Sequence, residues 1–439
     1  MSEDTVKVQP GQESAAPSLP DLNAEKPYRF EHIQNLLDEA ACFNLFSRQN
    51  PRHSNIAVNN GGGIIGFRIH EVLHRFDISV RPPTADAGVR AGNVLGEALG
   101  SFEHRWMIIP DGFGALPKRE PPPTLLDPTR SQRFVMLDSV CSFNGGSDGF
   151  RGFGTGNTFP VTVNGQSQLH AAAVGSITEG FGKFAGREGT YTYCGNLSSN
   201  EGFSGNFLCR VPDPEAQFFT ENSLPTLHAW PSPEPGITYL ILRGQKKDAS
   251  QKTTYNFGPG GQVIGINVVQ QLKVVNYDAV NRERGGLRAT RNIGPVIGGM
   301  HARILFNFFN PEAPGTALAP IPFQSYNEYT FTDPEGRTVA RVGADGKEGR
   351  TFRLKLPGAP GQAALRFGGF GPIMNGTGCF ERAQGLMADN SVVAVSPSAI
   401  STLYVLRLLD PDGRYRTPFV SSSDSCQRNR ERLIDACRS

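Results

Sequence analysis

The chain has 439 residues and a formal net charge of +2, from 43 basic and 41 acidic side chains. This balance argues against a nucleic-acid partner, which would require a clustered basic excess. No apolar run approaches the roughly 18 residues that a membrane-spanning helix needs. The 51 glycines and 33 prolines are typical of many short strands joined by tight turns, and the 29 phenylalanines can build an apolar core.

The N-terminal segment, residues 1–27, is polar and rich in Pro, Ser and Glu, so we expect it to be disordered. It lacks the apolar core of a signal peptide. The seven cysteines are scattered without a CxxC pair, which is typical of free thiols in a reducing compartment. We therefore expect a cytoplasmic protein without a metal site or cofactor.

A short amphipathic helix is predicted over residues 28–46, because Phe30, Ile33 and Leu37 recur at helical spacing. From residue 55 onward the pattern is strand-like. The predicted strands of the first half cover residues 64–80, 101–110, 131–143, 152–163, 168–177, 189–194 and 204–211, and the prolines at 82 and 83 are expected to end the first of them.

A proline-rich segment, residues 216–236, reads as a connector between two domains. The sequence of the polar tail, residues 416–439, indicates no function. The predicted strands of the second half cover residues 237–244, 262–276, 302–309, 326–331, 351–356, 363–367, 391–395 and 402–408. About eight strands are the number at which a sheet closes into a small barrel able to hold one ligand.

The two halves repeat each other. The stretch 174–214 recurs at 370–411 with its glycines and a phenylalanine in the same order, at a nearly constant offset. A repeat of this length is a whole domain, since solenoid units span only about 20 to 50 residues. The sequence therefore predicts an all-β chain of two tandem antiparallel β-barrels, residues 28–215 and 237–415, with a short N-terminal helix.

The repeated turn and its flanking strands resemble those of the allene oxide cyclase and dirigent group of calycin-type barrels. The matching text is GSITEGFGKFAGREGTY at residues 175–191, preceded by GFGTGNTFPV at 152–161, and the second copy keeps GPIMNGTGCF and Gly385. The resemblance implies an apolar cavity in which cyclases steer a reactive intermediate and dirigent proteins orient coupling partners. It also implies a carboxylate on the first barrel strand. Glu71 is the match here, and the second carboxylate of that motif is missing.

The row of side chains that includes Glu71 is otherwise apolar. Side chains alternate across a strand, so Phe67, Ile69, Glu71 and Leu73 share one face. An apolar row predicts the barrel interior and makes Glu71 an inward carboxylate suited to general acid or base chemistry. The alternative is a solvated glutamate at a strand end.

Two further residues complete the predicted catalytic group. His104 and Asp138 lie in apolar rows, and with Glu71 they would supply a base, a proton shuttle and an orienting carboxylate if they meet. A single histidine among apolar residues is also commonly a hydrogen-bonded core residue, and either face of the Asp138 strand could point inward. The predicted substrate contacts are Trp106, Phe134, Met136, Glu179, Tyr191 and Arg210.

Three charged positions lose their charge in the second copy, while the glycines stay. These replacements favour one working cavity in the first barrel, with the second barrel as a scaffold. Arg210 is retained as Arg407, so both could be structural and pair with the neighbouring Asp213 and Asp410, rather than hold a ligand carboxylate. The replaced positions are Glu71 by Gln270, Glu179 by Asn375 and Lys183 by Cys379.

These features favour a cofactor-free isomerase or cyclase that acts on a hydrophobic small molecule. One alternative is a non-catalytic small-molecule-binding or dirigent-like protein, and another is a structural protein whose barrels are filled with side chains. The three differ in whether a barrel is hollow and whether the hollow holds an acidic group. Homo-oligomerisation stays open.

Overall fold

The computed structural model describes most of the chain, and the described residues form strands, one α-helix and three single-turn 3-10 helices. The predicted all-β class is confirmed. Residues 1–27, most of the connector and nearly all of the tail lie outside the described residues. The described residues are 28–84, 88–110, 124–163, 165–198, 202–213, 234–251, 253–260, 263–282, 286–309, 321–356, 358–359, 361–362, 364–394 and 398–416.

The described part of the first half contains helix α1 (Phe30–Asp38) and nine strands. The strands are β1 (Ala41–Gln49), β2 (Asn55–Val58), β3 (Ile64–Thr84), β4 (Gly88–Ile108), β5 (Arg133–Phe143), β6 (Asp148–Val163), β7 (Gln166–Phe181), β8 (Gly189–Ser198) and β9 (Gly202–Val211). The second half repeats the series as β10 (Ile237–Gln245), β11 (Thr254–Phe257), β12 (Val263–Arg282), β13 (Gly286–Phe309), β14 (Ile321–Thr332), β15 (Thr338–Leu354), β16 (Ala364–Thr377), β17 (Gly385–Ala394) and β18 (Ala399–Leu409).

Each half closes into an antiparallel barrel. In the first, β3 to β9 pair in chain order and β1 closes the ring by pairing with both β3 and β9. In the second, β12 to β18 pair in order and β10 closes the ring against β12 and β18. The short strands β2 and β11 each pair with the long strand that follows. The prediction of two tandem antiparallel barrels of about eight strands is confirmed.

Several predicted boundaries are wrong, among them the starts of β4, β13 and β15, and two of the errors have a local physical reason. The helix ends at Asp38, and β1 begins at Ala41, because Ala41, Phe43 and Leu45 alternate inward and fill the first barrel. The prolines at 82 and 83 do not end β3, which runs to Thr84. They fall where the register with β4 shifts, so a missing N–H donor interrupts no regular ladder.

The repeated glycine turn has the same backbone in both copies. Gly182 and Gly378 open equivalent 3-10 turns with φ of 59° and 64°. A Cβ at either position would lie 2.2 Å from a backbone carbonyl oxygen, that of Ser147 for Gly182 and that of Val339 for Gly378. Only glycine combines this positive φ with so close an approach, which explains why duplication and divergence left these anchors unchanged.

The two barrels pack against each other through a buried interface. Strands β3 and β12 pair across it, and Phe159, Val174, Phe370 and Leu386 belong to one apolar cluster drawn from both barrels. Arg210 of β9 extends into the second barrel's wall, where its Nη1 donates to the carbonyl of Ser401 at 2.6 Å. Side chains of both barrels therefore form one buried interface.

Arg407, the counterpart of Arg210, makes the reciprocal contact. It lies on β18, is buried, and places Nη1 3.1 Å from Nδ1 of His170 in the first barrel. Its Nη2 lies 3.2 Å from a carboxylate oxygen of Glu234. The predicted pairing of Arg407 with Asp410 is wrong, since Asp410 accepts instead from Thr238 and the backbone of Tyr415.

None of the helices in the described residues has the length and apolar character that crossing a membrane requires.

Candidate functional site

Aromatic side chains fill the first barrel. The inward row of β3 is confirmed, with Phe67, Ile69 and Leu73 in the first-barrel core and Glu71 fully buried among them. Trp106 stacks on Phe134 with 3.9 Å between the ring centres. The rings that complete this packing are Phe43, Phe102, Phe143, Phe150, Phe184, Tyr191, Tyr193, Phe203 and Phe207.

Glu71 and His104 meet inside this packed barrel. His104 Nε2 lies 2.9 Å from Oε2 of Glu71, and the Ser47 hydroxyl donates to Oε1 at 3.0 Å. The imidazole stacks on Phe102 at 4.4 Å between ring centres. The carboxylate is the middle member of this group, so the hydroxyl contacts the acid and not the base. That order differs from a nucleophile activated by an adjacent histidine.

Asp138 does not join Glu71 and His104. Its side chain is 81% exposed and lies 3.3 Å from the guanidinium of Arg105 on the outer surface. The physical reason is a bulge in β5, where the register shifts between Met136 and Ser139 and Asp138 takes a φ of 51°. An extra residue reverses the alternation, so Met136 points inward and Asp138 points outward.

The remaining predicted contacts divide between three places. Trp106, Phe134, Met136 and Tyr191 lie in the first-barrel core, as described for the stacked rings. The Tyr191 hydroxyl donates to Ser139 Oγ at 3.1 Å, and burial raises the pKa of this phenol. Glu179 is exposed near the end of β7. Arg210 lies in the interface between the barrels and not inside a barrel.

The second barrel contains a cavity. The volume open to the centres of water molecules is about 50 Å³, and the cavity lies along the barrel interior. Its apolar wall comes from Ile266, Val268, Met300, Ala302, Ile304, Phe323, Leu365, Phe367, Val393 and Ile400. Its polar wall comes from Thr253, Tyr255, Ser325, Asn327, Asp389, Ser391, Thr402 and Tyr404.

Replacement of bulky side chains between the copies explains why this barrel is hollow. Glu71 pairs across strands with Phe102, and its counterpart Gln270 pairs with Met300, which fixes the equivalence of β3–β4 with β12–β13. The other strand pairs give the same alignment. At the positions that line the cavity, His104 is replaced by Ala302, Trp106 by Ile304, Met136 by Ser325, and Tyr193 by Asp389.

A chain of hydrogen bonds runs along the polar wall. The Tyr404 hydroxyl donates to Gln270 Oε1 at 2.6 Å, and Gln270 Nε2 donates to Thr402 Oγ1 at 3.1 Å. Ser391 Oγ lies 2.9 Å from Thr402 Oγ1 and 3.1 Å from Asp389 Oδ2. Such a network fixes the orientation of its members and presents both donors and acceptors to the cavity.

Asp389 is the acidic group of this cavity. It lies on the inward row of β17 with Met387, Ser391 and Val393. Burial raises its pKa to about 7, and hydrogen bonds from Ser391 and from the Gly369 backbone oppose that rise only in part. The carboxyl group is therefore poised between its neutral and ionised forms near pH 7, so it can either donate or accept a proton.

Sequence reasoning missed the polar wall of the second barrel, including Asp389, Thr402 and Tyr404. The signal was present in the aligned repeats, because the smaller replacements all fall on inward positions, two of them on β13 and one each on β14 and β17. The change from Glu71 to Gln270 removes a charge, whereas the changes that open the cavity remove side-chain volume. Whether a small barrel contains a cavity depends on the volume of its inward side chains, since protein interiors are otherwise close-packed.

Comparisons with known proteins do not identify a family. No protein-family model matches the chain, and no curated protein matches it. Intact Ap-TbpB (N and C lobes) aligns with 8% identity over 88% of this chain and 98% of its own, with a TM-score of 0.11. A mutant of the vaccine antigen transferrin binding protein B from Haemophilus parasuis Hp5 aligns with 7% identity over 93% and 98%, with a TM-score of 0.10.

Proposed function

We propose that the chain is a small-molecule-binding protein whose second barrel holds a largely apolar ligand. The observation that carries this proposal is the cavity, which occurs where the copies differ by loss of aromatic bulk and gain of Asp389. An apolar enclosure with a few convergent polar groups is the usual form of a ligand site. The ligand would place its body against Ile266, Val268 and Phe367 and a hydroxyl, carbonyl or amine against the polar wall.

The cavity volume limits the ligand to a compact group. About 50 Å³ open to water centres is several times the roughly 10 to 15 Å³ that one water requires. A short alkyl chain or a single ring fits this description, whereas a large fused-ring compound would require the barrel to expand. Tyr255 and Ile304 are only partly buried, so this side of the cavity offers an entrance.

The test is native mass spectrometry of protein purified from its own host, followed by extraction of any bound molecule. We expect a stoichiometric apolar ligand in the wild type and its loss in Ile304→Trp, which restores the first-barrel side chain and fills the hollow. Leu305→Trp is the matched control, because Leu305 is the next residue of β13 and is 61% exposed on the outer face. Absence of ligand, together with no binding of added apolar probes, would refute the proposal.

A second candidate is a cofactor-free isomerase or cyclase that uses the same cavity. Its support is Asp389, a buried carboxyl group inside a cavity with a pKa of about 7, which suits general acid and base chemistry at neutral pH. The resemblance to the allene oxide cyclase and dirigent group also favours this reaction class, and the eight-stranded antiparallel barrels fit it. Glu71 and His104 would serve only if the first barrel opened, because aromatic rings surround both.

The two candidates are separated by Asp389→Asn. The asparagine keeps the shape and a hydrogen-bonding group, so a binding protein retains most of its affinity for the extracted ligand. An enzyme would lose turnover of that ligand's precursor by about 100-fold or more while its substrate affinity changes little. A cytoplasmic location remains part of the proposal, and the five described cysteines, which are free thiols, support it.

A further inference from the structure

Lys246 continues the inward row of β10 at the end of the hollow barrel. Gly244 points inward, because a Cβ there would lie 2.1 Å from Oε1 of Gln270 and 2.7 Å from the Tyr404 ring. Lys246 follows two residues later, directly after the strand ends at Gln245, so it occupies the same face. Its side chain is directed toward the end of the barrel where Thr253 and Ile400 line the cavity.

The ammonium group of Lys246 is buried without a counter-ion among the described residues. Lys246 is 3% exposed, and its Nζ donates to Ser398 Oγ at 2.6 Å. Ser398 Oγ lies 3.5 Å from the hydroxyl of Thr253, which lines the cavity. Within the described ranges no carboxylate forms an ion pair with this ammonium. Lysine is almost never so buried unless it is paired.

The first barrel has no charge at this place. Pairing of Ser47 with Leu73 corresponds to pairing of Gly244 with Leu272, which makes Gln49 the counterpart of Lys246. Gln49 Oε1 accepts a hydrogen bond from the backbone of Phe203 at 2.8 Å, so the neutral side chain has a structural partner. The buried cation is therefore a feature of the hollow barrel alone, and it accompanies the appearance of Asp389.

We propose that Lys246, Ser398 and Thr253 form a carboxylate-binding subsite at the mouth of the second barrel, and that the ligand is a compact apolar carboxylic acid. The inference rests on the proposed binding function and specifies the ligand class. Lys246 would pair with the carboxylate, the hydroxyls would donate to its remaining lone pairs, and the apolar body would enter the barrel. Burial lowers the pKa of Lys246 to about 8, so the ammonium form still predominates at pH 7.

The test compares two probes of equal chain length, hexanoate and hexan-1-ol, by isothermal titration calorimetry at pH 7 with the full chain. We expect wild type to bind hexanoate about tenfold more tightly than hexan-1-ol, since a charge-assisted hydrogen bond adds about 1.4 kcal/mol or more. Lys246→Gln, which copies the first barrel, and Lys246→Met should both reduce this preference to less than about twofold. Lys247→Met is the matched control, because Lys247 is exposed, and it should keep the preference.

The outcomes separate this proposal from the function on which it depends. Equal affinities of the two probes in wild type, or a preference that survives in Lys246→Gln, would overturn the carboxylate subsite while leaving the binding function in place. Failure of both probes to bind would overturn the two together. Competition of hexanoate by inorganic phosphate alone would also contradict the proposal, because it would indicate a free-anion site that does not need the apolar body.

Discussion

Asp389→Asn isolates the electrostatic consequence of a carboxyl group in the cavity wall. The substitution preserves side-chain shape and can keep the hydrogen bond with Ser391 Oγ, at 3.1 Å in the wild type. It removes only the ability to ionise. The phenols of Tyr404 and Tyr329 both interact electrostatically with Asp389, and burial raises the pKa of both, so they stay neutral below pH 9. Asp389 is therefore the group of this wall that titrates between pH 5 and 8.

The direction in which the free energy of unfolding changes with pH follows from the pKa of Asp389, which is about 7 in the folded chain and 3.8 in the unfolded chain. Between these values the folded state holds a proton that the unfolded state has lost, so the free energy of unfolding falls as pH rises. The slope is about 1.4 kcal/mol per pH unit, and the loss is complete above pH 7. From pH 5 to 8 the wild type should lose on the order of 3 kcal/mol relative to the asparagine variant.

The assay is urea denaturation of both proteins at several pH values from 5 to 8. The quantity of interest is the difference in free energy of unfolding, because contributions of other groups cancel in it. Asp248→Asn is the control, since hydrogen bonds from Ser250 lower the pKa of Asp248, and its effect lies below pH 4. A wild-type-minus-Asp389→Asn difference that stays within about 0.5 kcal/mol across this range would refute the reasoning.

Two further predictions concern the packing of the barrels. Glu71→Gln should lower the free energy of unfolding by about 2 kcal/mol, because an amide replaces the buried carboxyl group that Ser47 and His104 contact. Glu103→Gln, on the outer face, should change it by less than about 0.5 kcal/mol in the same urea denaturation. Equal effects would mean that the buried pair contributes nothing. Gly378→Ala should destabilise more than Gly336→Ala, because both have positive φ but only Gly378 is crowded; thermal denaturation showing the reverse order would contradict the role assigned to the turn.

The fold was predictable because the duplicated sequence carries the same strand and turn signals in both halves. Glycine anchors such as Gly182 and Gly378 recur where the backbone needs a positive φ, and period-two rows such as the one containing Glu71 mark the interior. These signals are local and survive in a single sequence. The helix boundary failed at Ala41, where residues of one short segment satisfied both helical and strand spacing, and only closure of the barrel decides between them.

The site was harder to predict, because it depends on features that alternation alone does not contain. A one-residue bulge placed Asp138 outside, although its strand shows apolar residues on both faces. The cavity arises from several moderate losses of volume, such as Trp106 to Ile304, that act together across strands distant in the sequence. The charged side chains of Lys246 and Asp389 indicate a binding site only once the surrounding barrel is known to contain a cavity.

The loss of stability caused by the hollow second barrel can be offset by the filled first barrel. A cavity of about 50 Å³ costs about 1 kcal/mol in lost packing, and a buried acid adds to that cost above its pKa. The filled first barrel and the interface around Arg407 can offset both. If the hollow is retained for binding, Ile304→Trp should abolish ligand binding while leaving the unligated chain at least as stable as wild type. A strongly destabilised Ile304→Trp with Leu305→Trp unaffected would instead show that the wall cannot accept the first-barrel side chain, and the alignment of the copies would have to be revised.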